Sequence, residues 1–402
     1  MSNTSKREYL AAIRARYRRS GKKDKQRTLD EFCQTCGYNR KYAIRLLNAA
    51  EDESRKRRAD RRGAPRKYHS ANMMNFLKTL WRASNLACGK RLKAMIADWL
   101  PHYDGTLTSE ERQLLSTISA ATIDRLLQPM RRTYCKLGLA TTKPGSLLKK
   151  HIPIGTAQWD QTCPGFLEAD TVAHCGTSMA GMFVFTVNCV DIATGWTEQR
   201  AVWGKGEHGV LRAIQDIERV LPFALRGFDC DNGSEFLNWH LMKYLTERPQ
   251  HIQFTRSREY QKNDNAHVEG KNYTHIRQYL GYQRFDDLAL VGQLNALYTT
   301  VWRLFFNFFI PSVKLIDKHR VGSKLIKIHD TPTTPYHRLL ASSQVSDDVK
   351  HSLADLKATL NPFILQRTIK VSINTILTKV SQPAPDQSPT PESVFSPEVT
   401  KA

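Results

Sequence analysis

Three short acidic segments constrain this chain more than any other feature of its 402 residues. Phe166-Leu-Glu-Ala-Asp-Thr-Val172 is an apolar run that ends in acids. Gly227-Phe-Asp-Cys-Asp-Asn-Gly-Ser-Glu-Phe236 sets acids beside an Asn-Gly turn that breaks a strand pattern. Asn263-Asp-Asn-Ala-His-Val-Glu-Gly-Lys-Asn272 reads as the opening of a helix. Moving a phosphodiester bond requires charge neutralisation on the phosphoryl oxygens and activation of a water or a 3′-hydroxyl, which two divalent cations about 3.5–4 Å apart accomplish. Hard cations such as Mg²⁺ take oxygen ligands and keep several waters, so two or three carboxylates suffice. Asp170 at a strand end, Asp231 after a neighbouring strand and Glu269 on a packing helix can converge on that geometry, and these three are the expected catalytic and metal-ligating residues.

The order Asp170, Asp231 in Asp-Asn-Gly-Ser-Glu-Phe, and Glu269 in Asp-Asn-Ala-His-Val-Glu-Gly-Lys-Asn, resembles the DDE catalytic core of bacterial insertion-sequence transposases and retroviral integrases. The resemblance runs from Phe166 to Arg284, with a weaker echo in Thr334-Pro-Tyr-His-Arg-Leu-Leu340. It implies an α/β RNase H-like catalytic core, a mixed five-stranded sheet with helices, whose acids hold two Mg²⁺ or Mn²⁺ ions per active site. The implied activity is that of a DNA transposase: binding of element ends, metal-dependent strand cleavage, and 3′-hydroxyl strand transfer into target DNA; the alternatives are an RNase H-like nuclease without strand transfer and a catalytically inactive DNA-binding regulator. The implied partners are element ends, target duplex and further copies of the chain assembled on DNA. No small-molecule cofactor is expected.

The net charge of +22 is unevenly placed. Residues 1–150 carry 34 Lys and Arg against 13 Asp and Glu, whereas residues 151–402 carry 26 against 25. The basic part is an electrostatic footprint for a polyanion, and the near-neutral part is not. Eight cysteines lack a disulfide-framework spacing, the N-terminus lacks an apolar signal region, and no apolar run approaches a membrane span. These features predict a soluble, cytoplasmic chain.

All-α helix-turn-helix DNA-binding modules are expected before the core. Residues 1–54 form the first: a basic amphipathic helix over 5–20, a Gly-Lys-Lys-Asp break, then helices over 28–36 and 40–49 around a Gly37 turn. Asn39, Arg40, Lys41 and Arg45 lie on or near its groove-facing side. Cys33 and Cys36 have half of a zinc-site spacing, but no second Cys/His pair stands nearby, so they read as a partly buried pair. Residues 55–69 are a basic linker. Residues 70–136 read as a second helical module with a helix-turn-helix-like pair, Ser109–Ser116 and Ala120–Leu127, capped by Ser119, with Thr122 and Arg125 able to face DNA. A second linker spans 137–165, the catalytic core 166–284, a helical and irregular region 285–380 (with 311–330 irregular), and a disordered tail 381–402.

Within the core, the expected order is three strands, helix, strand, helix, strand, helix, with helices over 207–220, 235–245 and 265–280. Arg256 and Arg258 are assigned to DNA phosphate, and Asn265, Lys271 and Asn272 to substrate as well. Asn265, Glu269 and Asn272 share a helix face, where the amides can touch substrate or order the metal ligands. Asp229 and Glu168 share the faces of Asp231 and Asp170 and rank below them as ligands. Asp191 reads as a turn residue, Asp264 as a helix cap and His267 as structural.

Overall fold

Near the N-terminus, apolar side chains at helical spacing close around one aromatic ring. In the computed structural model, which describes residues 1–49, 67–133, 162–230, 233, 235–236, 238–250, 252–256 and 266–380, helices α1 (Asn3–Arg19), α2 (Lys22–Cys36) and α3 (Arg40–Asn48) bury Phe32 among Ile13, Tyr17, Leu29, Ala43 and Leu47. Gly37 ends α2 in the left-handed region at φ +69°, which glycine adopts without strain, and the Asn39 side chain caps α3 by accepting from the Lys41 amide. The expected Gly-Lys-Lys-Asp break is shorter than read: only Ser20 and Gly21 separate the helices, because Lys22 and Lys23 already lie in α2. These helices belong to a compact unit, Met1–Lys67, distinct from Tyr68–Ala402.

The second unit is built on a five-stranded mixed sheet in the order β3-β2-β1-β4-β5. Its strands are β1 (Phe166–Ala173), β2 (Val184–Asp191), β3 (Thr197–Trp203), β4 (Gly227–Cys230) and β5 (Gln253–Arg256). β2 runs antiparallel to β1 and β3, while β4 and β5 run parallel to β1 and to each other. Alternation sends Leu167, Ala169, Val187 and Cys189 to one face, where α8 (Glu207–Val220) and α9 (Trp239–Thr246) cover them with Val210, Ile214, Ile217, Leu241 and Leu245. The mixed sheet and its helix order are those expected of the core. α9 starts later than the expected 235, with Asn238 as its cap and Glu235 buried ahead of it.

The other face packs on a larger helical layer. Before the sheet come α4 (Ala71–Ala83), α5 (Gly89–Trp99), α6 (Ser109–Thr117) and α7 (Ala120–Thr133). After it come α10 (Ala266–Lys271), continued by a π-helical stretch Asn272–Arg277 and a last turn Gln278–Leu280, and α11 (Ala289–Leu297), continued by a second π stretch Tyr298–Trp302 into α12 (Arg303–Phe309). α13 (Pro335–Ala341), α14 (Asp347–Ala358) and α15 (Pro362–Val380) complete the layer. Helices α4–α7 share one core with those after the sheet: Trp99 of α5 meets Phe305, Phe309 and Phe363 edge-on and donates its indole N–H to the Phe309 carbonyl at 3.2 Å.

Residues 311–330, expected to be irregular, instead contain a hairpin, β6 (Leu315–Val321) with β7 (Lys324–His329), turned at Gly322 with φ +59°. Its alternation of Leu, Ile and Val with charged residues is a strand pattern that the surrounding basic charge obscures. The linker over 55–66, residues 134–161 and the tail 381–402 lie outside the described residues.

Several buried histidines couple this core to pH. His174 stacks on Phe285 with ring centroids 4.6 Å apart, and burial, reinforced by Arg277, lowers it from 6.5 to about 3. The unfolded chain therefore takes up a proton near pH 6.5 that the folded chain refuses until about pH 3. Stability is full above pH 6.5 and declines as pH falls below it, by up to about 1.4 kcal/mol per pH unit for each such group. The melting temperature of the full chain should drop between pH 7.5 and pH 5, and less so in His174→Gln; parallel pH profiles for the two proteins would contradict this assignment.

Candidate active site

Three strands set polar side chains in one row across the sheet. Asp170 of β1 lies directly opposite Asn188 of β2, which lies opposite Gln199 of β3. The Gln199 amide donates to Asn188 Oδ1 at 2.9 Å, and Asn188 donates to Asn272 Oδ1 at 2.7 Å. Asn272 Nδ2 then donates to Asp170 Oδ2 at 2.6 Å. Asn188 and Asn272 each accept from one neighbour and donate to the next, so the chain that starts at the Gln199 amide has one direction and terminates on the carboxylate. Amides buried in this way fix orientation because every alternative rotamer leaves a polar group unpaired. The second Asp170 oxygen accepts from the Thr171 amide at 2.7 Å.

Glu168, two residues earlier on the same face, joins this strand to α10. Its Oε2 accepts from the amides of His267 at 2.9 Å and Val268 at 3.0 Å, the first amides of the helix. These amides lack partners within the helix, and the helix dipole favours a carboxylate there. Burial raises Glu168 from 4.5 to about 8, opposed by these two hydrogen bonds and assisted by the charges of Asp229 and Glu269. Across β4, Asp229 pairs with Glu168 in register and accepts from Thr255 Oγ1 at 2.5 Å. Asp229 and Glu168, ranked below Asp231 and Asp170 as ligands, thus engage Thr255 and the start of α10.

The expected site residues separate into groups. Asp170 is half-buried at the end of the amide chain, and Glu269 is exposed on α10. Asp231, Arg258, Asn265 and Asp264 lie outside the described residues. Arg256 is exposed at the end of β5. Asn272 spends its amide on Asp170 and Asn188. Lys271 is turned away from that pair: its ammonium meets His275 Nε2 at 3.3 Å, and burial, with Arg91 and Arg338 adding, lowers it to about 7. In the first unit Arg40 pairs with Asp30, Arg45 sits over the Tyr42 ring at 5.0 Å, and Lys41 is exposed. Thr122 and Arg125 are bonded to each other on the exposed side of α7, with Thr122 also held by Ser119. Asp191 accepts from Gly165, Thr194 N and Thr194 Oγ1 as a turn residue, and burial lowers His267 to about 4.

Sequence reasoning missed Asn188, Gln199 and Glu235. Glu235 is buried, accepts from Thr171 Oγ1 at 3.2 Å and faces Lys205 at 3.5 Å. The two amides carry a signal only as a pair, because buried polar groups on neighbouring strands require partners across the sheet.

Among the described residues, no three His, Cys, Asp or Glu side chains gather closely enough to hold a metal ion. The donors that are described nevertheless suit a hard divalent cation: a half-exposed carboxylate held by hydrogen bonds at Asp170, and an exposed one at Glu269 on a helix pinned to the same strand. Further carboxylate oxygens are needed to complete such a site.

The chain is 39% identical over 343 residues to the uncharacterized protein y4rM of Sinorhizobium fredii, covering 84% of this chain and 96% of that one. No family model matches. Similar solved structures include the catalytic core domain of BIV integrase, at 17% identity and a TM-score of 0.27, covering 44% of this chain and 95% of that one. Another is the HTLV-2 integrase catalytic core domain in complex with magnesium, at 15% identity and a TM-score of 0.28, covering 38% of this chain and 93% of that one.

Asn188→Leu should orphan both the Gln199 and Asn272 amides and destabilise the chain by about 1–3 kcal/mol. Urea unfolding measures this, and a loss below about 0.5 kcal/mol would be that of an ordinary surface substitution and contradict the amide chain.

Proposed function

We propose that this chain, which belongs to the family of the Sinorhizobium fredii protein y4rM, is a DDE-type polynucleotidyl transferase, a transposase of an insertion sequence. The observation that carries the reading is the pairing of β1 with β4. Their parallel register ends at Ala169 opposite Cys230, the residues immediately before Asp170 and Asp231, while Glu168 of the same strand holds the start of the helix bearing Glu269. On this reading Asp170 and Asp231, each the next residue in the chain after that last pair, are metal ligands together with Glu269.

Two bound Mg²⁺ or Mn²⁺ ions would neutralise the phosphoryl oxygens and activate the attacking water or 3′-hydroxyl. The chain's own contribution is positioning. Asn272 holds one Asp170 oxygen and the Thr171 amide the other, and the amide chain behind Asn272 prevents that rotamer from changing. Glu168 keeps α10, and with it Glu269, at fixed height on β1.

DNA binding is assigned to the basic N-terminal part. On this reading α2 and α3 act as a helix-turn-helix, with Arg40, Lys41 and Arg45 toward the duplex and Asn39 holding the end of α3. α6 and α7 act as a second such pair through Thr122 and Arg125, and Arg256 and Arg258 contact phosphate beside the site. Cleavage and strand transfer use one site because both are attacks of an oxygen on phosphorus, and copies of the chain assemble on paired ends.

Asp231→Asn and Glu269→Gln should reduce Mg²⁺-dependent cleavage of element-end DNA to background and leave end binding within about twofold, because only the ion-binding charge is removed. Full activity in either variant would contradict the assignment. Asn272→Ala should lower cleavage by about 10–100-fold, as loss of a partner that orients a metal ligand does. Joined products from pre-cut ends would establish strand transfer, and their absence beside retained cleavage would mark a nuclease.

A further inference from the structure

On the side of α10 turned away from Asp170, four separated parts of the chain bring cations into one cavity of about 280 Å³. Arg91 comes from α5, Lys271 from α10, Lys314 from the segment just before β6 and Arg338 from α13, with His267 and His275 beside them. Two carboxylates lie near. Asp330 takes Arg338 at 2.8 Å and the Lys314 backbone amide at 2.6 Å, Asp191 accepts from Gly165 and Thr194, and the charges of both act on Lys314 without an ion pair. Among the described residues, Arg91, Lys271 and Lys314 form no ion pair with a carboxylate.

Donor counting sharpens the imbalance. Arg91 uses only its Nε, on the Pro311 carbonyl at 2.8 Å, which leaves four guanidinium N–H donors. Lys314 uses one ammonium donor on the Ala193 carbonyl, and Lys271 one on His275, leaving two each. The histidine is held as an acceptor. Thr274 spends its hydroxyl proton on the Gly270 carbonyl, so its oxygen receives His275 Nδ1–H and the ring presents a bare Nε2 to Lys271. Packing only would not require so many unspent donors of one sign in a half-enclosed cavity, where unpaired charge is costly.

We infer that this cavity is a phosphate-binding site, taking a tetrahedral oxyanion between Arg91, Lys271 and Lys314, with Arg338 held in place by Asp330 behind them. The volume is several times the roughly 30 Å³ share of one water, so an oxyanion fits with part of its hydration. Such a ligand would staple α5 and α13 to the helix that carries Glu269. The phosphate can be free in solution or part of a bound DNA strand, and the chemistry of recognition is the same for both.

Calorimetric titration of the full chain with inorganic phosphate, at ionic strength held constant with chloride, tests this. Saturable binding of one phosphate is expected, weakened at least tenfold by Arg91→Gln or Lys314→Gln and largely retained in Arg91→Lys, which keeps the charge. A second arm measures duplex affinity against salt. A slope smaller by about one in Arg91→Gln, with phosphate competing against DNA, identifies the ligand as a strand phosphate. An unchanged slope with phosphate binding intact identifies it as free phosphate. No saturable phosphate binding together with unchanged slopes overturns the site, as does equal binding in the wild type and both Gln variants. Neither arm requires cleavage, so loss of this site and loss of the transposase reading are separable.

Discussion

The contact between the Glu168 carboxyl group and the first amides of α10 is the interaction on which the candidate site depends. It places a helix end on the central strand of the sheet, within two residues of Asp170. A carboxylate at a helix N-terminus satisfies donors that the helix itself cannot, and here it does so out of solvent, where the hydrogen bonds are strong and the alternatives costly. Burial pushes Glu168 to about 8, and the two hydrogen bonds from α10 oppose that desolvation cost.

A second device works across the sheet. Gln199, Asn188 and Asn272 pass one hydrogen-bond direction to Asp170, so a residue on the far strand β3 helps to fix a carboxylate on the central one. Asn272 reaches both partners from the start of the π-helical stretch, where the wider turn changes the phase of the helix directly after Glu269. Such insertions recur at functional sites because they re-aim side chains without ending the helix. The two devices together leave the acid-bearing strand and helix little freedom relative to each other.

Much of this was legible in the chain. The apolar run from Phe166 gave β1, and the helix expected over 207–220 is α8. Local punctuation also worked, since Gly37 and Ser119 mark helix ends where they were expected. What failed depends on tertiary partners. The β6–β7 hairpin buries neither face, so its alternation carries no core signal and its charges dominate. Nothing in the spacing of Trp99 announces that it packs on Phe305 and Phe363, more than 200 residues away, so the helices over 70–136 read as a module apart rather than as a layer of the same core. Asn188 and Gln199 were passed over because a lone amide in a strand has meaning only beside its neighbour in register.

The central claim is that Asp170, Asp231 and Glu269 hold one ion cluster. Anomalous diffraction from crystals of the full chain grown with Mn²⁺ tests it most directly. The account predicts two peaks about 3.5–4 Å apart, bonded to oxygens of those three side chains. Manganese bound elsewhere, or the three carboxyl groups too far apart to share the ions, would contradict it.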